Sequence, residues 1–163
     1  GNFTGAVGHT YAFYSIARDN VGNVEEPPAA PDAVTTVTVR QYFAEWLPPV
    51  KAVEQGYSYV MQDGSTLPIK LHLTDSTGAF VEEPALTIVV SDAAGNELVS
   101  FDRSQLRIET GEDGCQYYMV NLKTKESGMS VGPTYYIKAL VDGTQVGSAV
   151  DLTLASGGVA KGK

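Results

Sequence analysis

Two histidines, His9 and His72, are the imidazoles of this 163-residue chain, and Cys115 is its one thiol. Nucleophilic catalysis needs a nucleophile beside a base, and a third group to orient that base. No base neighbours Cys115 in sequence, where it follows Gly114, so a structural cysteine is expected. His72 falls on the outward side of an alternating run and His9 precedes another, so both read as surface or turn residues. Gly-x-Ser-x-Gly, His-Glu-x-x-His and phosphate-loop patterns do not occur. One cysteine excludes an internal disulfide and a thiolate-rich zinc site. Acids concentrate at Glu25-Glu26, at Glu82-Glu83, and at Glu109 with Glu112 and Asp113. None has the Asp-x-Asp-x-Asp-Gly spacing of a dedicated calcium loop, and a solvated acidic surface is expected at each. No cofactor is expected; a structural calcium would sit at an Asp-x-x-Gly turn or between domains.

Aromatic residues offer a different chemistry, because sugar rings stack their apolar faces on flat side chains. Tyr14, Tyr117 and Tyr136 fall on predicted outward faces, Trp46 lies in a predicted linker, and Tyr57 and Tyr59 form an alternating pair. Trp46, Tyr117 and Tyr136 are therefore the candidate ligand-binding residues. The competing explanation is that tyrosines stabilise sheets through cross-strand pairs. An intramolecular isopeptide would need a buried lysine beside Asn or Asp and a buried acid. Lys70 with Asn121 is the candidate pair, and alternation puts both outward, which argues against it. A net charge of −8 argues against a phosphate-backbone partner. No apolar run approaches the roughly 18 residues of a membrane span. No charged-then-apolar leader opens the chain, so an export signal would lie upstream or have been removed.

The elements that must position these residues are strands. Val, Thr, Ile, Tyr, Phe and Trp make up 53 of the 163 residues, a composition suited to pleated surfaces. Helical periodicity is almost absent, and apolar residues alternate in short runs between turn signals. Leu67, Ile69, Leu71 and Leu73 share one face of a run over residues 66–74. Leu86, Ile88 and Val90 repeat the pattern, as do Tyr118, Val120 and Leu122; Tyr135, Ile137, Ala139 and Val141; and Val150, Leu152 and Leu154. Further strands are expected near residues 50–53, 97–101 and 105–109. Asp19-Asn20-Val21-Gly22, Asp75-Ser76-Thr77-Gly78 and Asp92-Ala93-Ala94-Gly95 supply turns of one chemistry, and Asp142-Gly143 a tighter hairpin. Such turns join antiparallel strands, and no helical crossover for a parallel sheet is evident. About eight strands in about 110 residues predict a two-sheet antiparallel sandwich.

The first forty residues predict a hairpin: one strand running from Tyr11 through Ala17, a Pro-rich loop from Pro27 to Pro31, and a second strand over residues 33–40. An isolated hairpin is marginal in water. It must pack on the following domain, pair with another chain, or be the tail of a truncated domain, and pairing between chains through residues 9–40 is the favoured expectation. Residues 41–47 (QYFAEWL) read as a linker, either one helical turn or an extended bridge with Trp46 wedged between domains.

The segment from Gly8-His9-Thr10-Tyr11-Ala12-Phe13 to Asp19-Asn20-Val21-Gly22-Asn23-Val24-Glu25 resembles the closing hairpin of bacterial extracellular Ig-like domains. Gly64-Ser65-Thr66-Leu67-Pro68-Ile69-Lys70-Leu71 resembles the signature of the small bacterial sandwich modules called PxKF domains, with Leu71 where Phe would stand. The resemblances imply an all-β, Ig-like architecture. It would comprise a truncated Ig-like hairpin at 1–40, a linker at 41–47, a PxKF-type sandwich at 48–155 and a flexible tail at 156–163. They further imply a non-catalytic accessory or spacer segment of a larger secreted or cell-surface bacterial protein, with the neighbouring domains of that protein as partners. The alternative is a carbohydrate- or surface-binding module using exposed aromatics.

Overall fold

The strictest alternation in the sequence, Thr66–Thr74, forms a nine-residue strand with those bounds. Its four leucine and isoleucine side chains, Leu67, Ile69, Leu71 and Leu73, are all fully buried, each worth about 1.5–3 kcal/mol. The structure, a computed structural model, describes residues 3–6, 8–38, 40–50 and 58–156. The chain divides into two units, residues 1–40 and 41–163. Tyr57, most of the strand expected near residues 50–53, and the expected tail beyond residue 156 lie outside the described residues.

The first unit holds two strands, β1 (Thr10–Phe13) and β2 (Ala33–Thr36), antiparallel with Thr10 opposite Thr36 and Phe13 opposite Ala33. The first strand stops at Phe13 rather than running on to Ala17. Beyond it the Asp32 carboxylate accepts from both the amide and the hydroxyl of Ser15, so a side chain takes the hydrogen bond a ladder would need. Residues 18 and 24 then meet in a single bridge around the Asp19 turn.

In the second unit the strands are β3 (Phe43–Leu47), β4 (Ser58–Gln62), β5 (Thr66–Thr74), β6 (Leu86–Ser91), β7 (Glu97–Phe101), β8 (Arg107–Thr110), β9 (Gln116–Lys123), β10 (Thr134–Val141) and β11 (Thr144–Ala155). They form two sheets, β3-β5-β9-β8 and β4-β11-β10-β6-β7. In immunoglobulin lettering these are A-B-E-D and A′-G-F-C-C′, so residues 41–156 are an Ig-like β-sandwich. The expected 41–47 linker is instead strand β3, its residues Phe43 to Leu47 paired antiparallel with Thr74 to Lys70. Trp46 alternates inward there, and its indole N–H finds an acceptor, so the large ring joins the core. The sheets are antiparallel with one exception: β4 runs parallel to β11, from Ser58 beside Asp151 to Gln62 beside Ala155. No short crossover is needed for that pair, because the rest of the sandwich separates the two strands in sequence.

Among the described residues one buried side-chain polar atom, Ser91 Oγ, has no partner, and the larger polar groups at the seams are matched. Tyr118, fully buried, accepts the Glu83 amide at 2.7 Å and donates to the Val81 carbonyl at 2.9 Å. Glu83 does not join the solvated acidic patch expected of Glu82-Glu83 and is 6% exposed. Tyr42 Oη donates to its Oε2 and the Ala85 amide to its Oε1, which is why a carboxylate is tolerated there. Tyr135 Oη accepts from the Ser130 amide, 2.8 Å away and five residues upstream, a tyrosine corner at the start of β10. Gly147, at φ +68°, lets β11 approach β3 closely; a Cβ there would stand 2.8 Å from the Ala44 carbonyl oxygen.

In all three Asp-x-x-Gly turns the aspartate Oδ1 accepts the amides two and four residues on, and at Asp19 and Asp92 the Oδ2 also accepts an asparagine side chain, whereas Asp75 takes the Thr77 hydroxyl. Asp92 Oδ1 accepts the Ala94 and Asn96 amides, and Oδ2 accepts the Asn96 side chain. The Asn96 side-chain amide, and then its backbone N–H, hold the Asp92 carboxyl below its ordinary pKa. A depressed folded-state pKa contributes stability above the unfolded value that is lost as pH falls through the folded one. Asp92→Asn is therefore expected to lower the melting midpoint at pH 7, and the gap from the parent should shrink toward pH 2. A gap that grows on acidification would contradict this. Ile137 is fully buried, opposite Val90 on β6 and Val150 on β11. Ile137→Asp should abolish the cooperative melt of residues 41–156, since an unpaired buried carboxylate costs several kcal/mol out of the roughly 5–15 a domain has. A melt within a few degrees of the parent would count against the assignment.

Candidate functional site

Burial of Leu71 and Leu73 forces their neighbours Lys70 and His72 onto the outer face of the A-B-E-D sheet. Burial of Trp46 does the same for Glu45 and Leu47, and burial of Tyr118 for Tyr117. Register then decides who meets whom. Glu45 stands directly opposite His72, and Leu47 opposite Lys70. The β8–β9 turn, residues 111–115, closes one end with Glu112, Asp113 and Cys115. Together they line an open-sided groove of about 910 Å³.

Lys70 Nζ lies 5.2 Å from the centre of the Tyr117 ring, so a cation already covers one face of that aromatic. Tyr117 Oη reaches Glu109 at 3.4 Å, and Glu109 also faces Arg107 at 3.6 Å. The His72 ring stacks on Phe80, with centres 6.3 Å apart and planes 11° apart. Asp113 Oδ1 accepts the Cys115 amide at 3.0 Å. That amide, the Cys115 thiol and the nearby His72 hold the Asp113 carboxyl below its usual value. The thiol feels the reverse. Its hydrogen bond to Asp113, and then the charges of Asp113 and Glu45, push the Cys115 pKa above that of a free cysteine. A cysteine nucleophile needs the opposite shift. Folding thus brings a thiol, an imidazole and carboxylates to one surface while disfavouring the thiolate. Among the described residues no group of three or more His, Cys, Asp or Glu side chains is arranged to hold a metal ion.

The sequence-predicted ligand residues are not brought together. Trp46 is in the core, its Nε1–H donating to the Ser148 carbonyl at 2.7 Å, and it offers no platform. Tyr117 lies in the groove under Lys70. Tyr136 sits on β10 in the other sheet, on its outer side, with Lys138 Nζ 5.9 Å from its ring centre. Tyr14 belongs to the first unit and is exposed, as is His9. Lys70 and Asn121 both face outward. Glu45 escapes a sequence reading that makes residues 41–47 a linker. The signal is present all the same: Ala44 and Trp46 alternate with Phe43, Glu45 and Leu47.

No family model matches the chain, and no curated protein matches it. Among solved structures it is similar to the endo-β-1,4-mannanase from Thermotoga petrophila, at 15% identity and a TM-score of 0.43, over 72% of this chain and 20% of that one. It is also similar to the Lin-41 filamin domain, at 14% identity and a TM-score of 0.36, over 59% of this chain and 84% of that one. The chain spans a fifth of the mannanase's length. Among the described residues no helix is long and apolar enough to cross a membrane.

The groove's electrostatics can be read from one thiol. Alkylation of Cys115 by iodoacetamide should reach half its limiting rate at a pH above that of a free cysteine, and Asp113→Asn should move that midpoint down. An unchanged or higher midpoint in the variant would show that Asp113 does not govern the thiol.

Proposed function

We propose that the chain is a non-catalytic accessory segment of a larger secreted or cell-surface bacterial protein, with residues 41–156 a PxKF-type module that holds its neighbours apart. The observation that carries this reading is the direction of the strands. β3 begins at Phe43, beside Thr74, at the end of the sandwich where β5 finishes. β11 finishes at Ala155, beside Gln62, at the opposite end, where Ser65 precedes β5. Chain enters at one end and leaves at the other, about 30 Å away, the length of a nine-residue strand such as β5. A module so built keeps the segments on its two sides a sandwich's length apart. The groove supports the same reading, since Asp113 and Glu45 push the pKa of its thiol up, the opposite of the shift a cysteine nucleophile needs. The carbohydrate-binding alternative has lost Trp46 to the core and divides Tyr117 and Tyr136 between two opposite faces.

The test is exchange. In the protein that carries them, residues 41–156 are replaced by an unrelated Ig-type sandwich of the same end-to-end span. Activity or display of the neighbours should be unchanged; loss on exchange, with folding intact, would overturn the spacer reading. Mixing the protein with insoluble cellulose, chitin, xylan and mannan should leave the supernatant concentration unchanged. Depletion that Tyr117→Ala abolishes would favour the binding module instead.

A further inference from the structure

The two units repeat one element. Gly8-His9-Thr10-Tyr11-Ala12-Phe13 opens β1, and Gly132-Pro133-Thr134-Tyr135-Tyr136-Ile137 opens β10. Both glycines have positive φ, +81° and +108°. Thr10 pairs with Thr36 on β2, as Thr134 pairs with Thr153 on β11. Each glycine N–H donates to the carbonyl one residue past that threonine, Gly8 to Val37 at 2.7 Å and Gly132 to Leu154 at 3.3 Å. Each tyrosine hydroxyl accepts an amide five residues upstream, Tyr11 from Ala6 and Tyr135 from Ser130, both at 2.8 Å. Five coincident features make β1–β2 the counterpart of β10–β11.

Their surroundings differ. Ile137, Ala139, Val150 and Leu152 of the second hairpin are fully buried, between β6 on one edge, β4 on the other, and the A-B-E-D sheet across the core. Among the described residues of the first unit none is buried. On the side that corresponds to the buried side of β10–β11, Tyr11 and Phe13 are half-buried, with Phe3 edge-on against both and itself exposed. A second copy of the chain cannot cover this face as β3–β9 cover theirs, because its own β3–β9 are already closed by its own β10–β11.

We infer that residues 3–38 are the closing hairpin of a second Ig-type sandwich, and that its uncovered face and edges take the remaining strands of that sandwich from the same polypeptide, outside residues 1–163. The second unit dictates the geometry: an antiparallel strand on the free edge of β1, as β6 lies on β10, and a parallel strand on the free edge of β2, as β4 lies on β11. It also dictates the source. The loop bearing Ser130 leads straight from β9 into β10, so its counterpart, the loop bearing Ala6, is where the last of the covering strands feeds in. The inference stands whether or not the segment acts as a spacer.

Hydrogen exchange tests it in two proteins. In the 163-residue chain, studied as a monomer across a concentration series, amides of Thr10–Phe13 and Ala33–Thr36 should exchange at least about 100-fold faster than those of β10 and β11. Tyr135→Phe should lower the melting midpoint and Tyr11→Phe leave it unmoved. In the polypeptide as its source cell makes it, the β1 and β2 amides should become as protected as β10 and β11, and Tyr11→Phe should lower a melting transition. Equal protection in the monomeric 163-residue chain overturns the inference, because the hairpin would then need no cover. Protection that rises with concentration and association overturns it in favour of a second copy. Free exchange of those amides in the polypeptide made by the cell overturns it outright.

Discussion

A sheet with one apolar face is stable only when something apolar lies over it, and this requirement organises the whole molecule. In residues 41–156 the inward positions of all nine strands point into one shared interior, from Trp46 on β3 to Leu154 on β11. That commitment leaves the outward positions free to vary. On the A-B-E-D side they carry Glu45, Lys70, His72 and Tyr117, and the groove is a by-product of where the greasy neighbours of these residues had to go. Taken by themselves, the described residues of the first unit give two four-residue strands joined by a long irregular connection, with no second layer of their own and several exposed apolar side chains.

Burial of polar atoms is the second constraint, and it falls on few residues. Tyr118, Tyr135, Trp46 and Glu83 each carry a polar group into the interior and each finds partners, mostly backbone. An unmatched group of this kind costs about 1–3 kcal/mol, so each such bond also fixes the loop it reaches. Tyr118 and Glu83 hold the β5–β6 connection; Tyr135 holds the approach to β10; Trp46 holds β3 against β11. The irregular parts of the fold are specified by these few bonds and the turns by aspartates.

Local alternation is legible in the sequence, and pairing between distant strands is not. Thr66–Thr74 and Glu97–Phe101 have their expected bounds, because two-residue periodicity and flanking turns act within ten residues. Residues 41–47 mislead because Pro48-Pro49 comes at once and a five-residue strand offers only two inward positions, Ala44 and Trp46. The parallel partnership of β4 and β11 joins residues some ninety apart, and nothing local encodes it. The groove is illegible for the same reason: its floor comes from β3, β5 and β9, and the meeting of Glu45 with His72 is a matter of register. Cys115 and His72 are each visible as chemistry; what the sequence does not convey is that Asp113 accepts the Cys115 amide and pushes the pKa of the thiol up.

The parallel pairing of β4 with β11 bears on how the sandwich behaves under tension. A pull applied through the residues before β4 and those after β11 tries to slide these two strands past each other along their length. Their hydrogen bonds are then strained together and must give way nearly at once, unlike the rungs of a hairpin, which open one by one. Because the chain enters through β3, tension along it meets the bonds of β3 to β5 first, and the β4–β11 pair becomes the brace once β3 has parted.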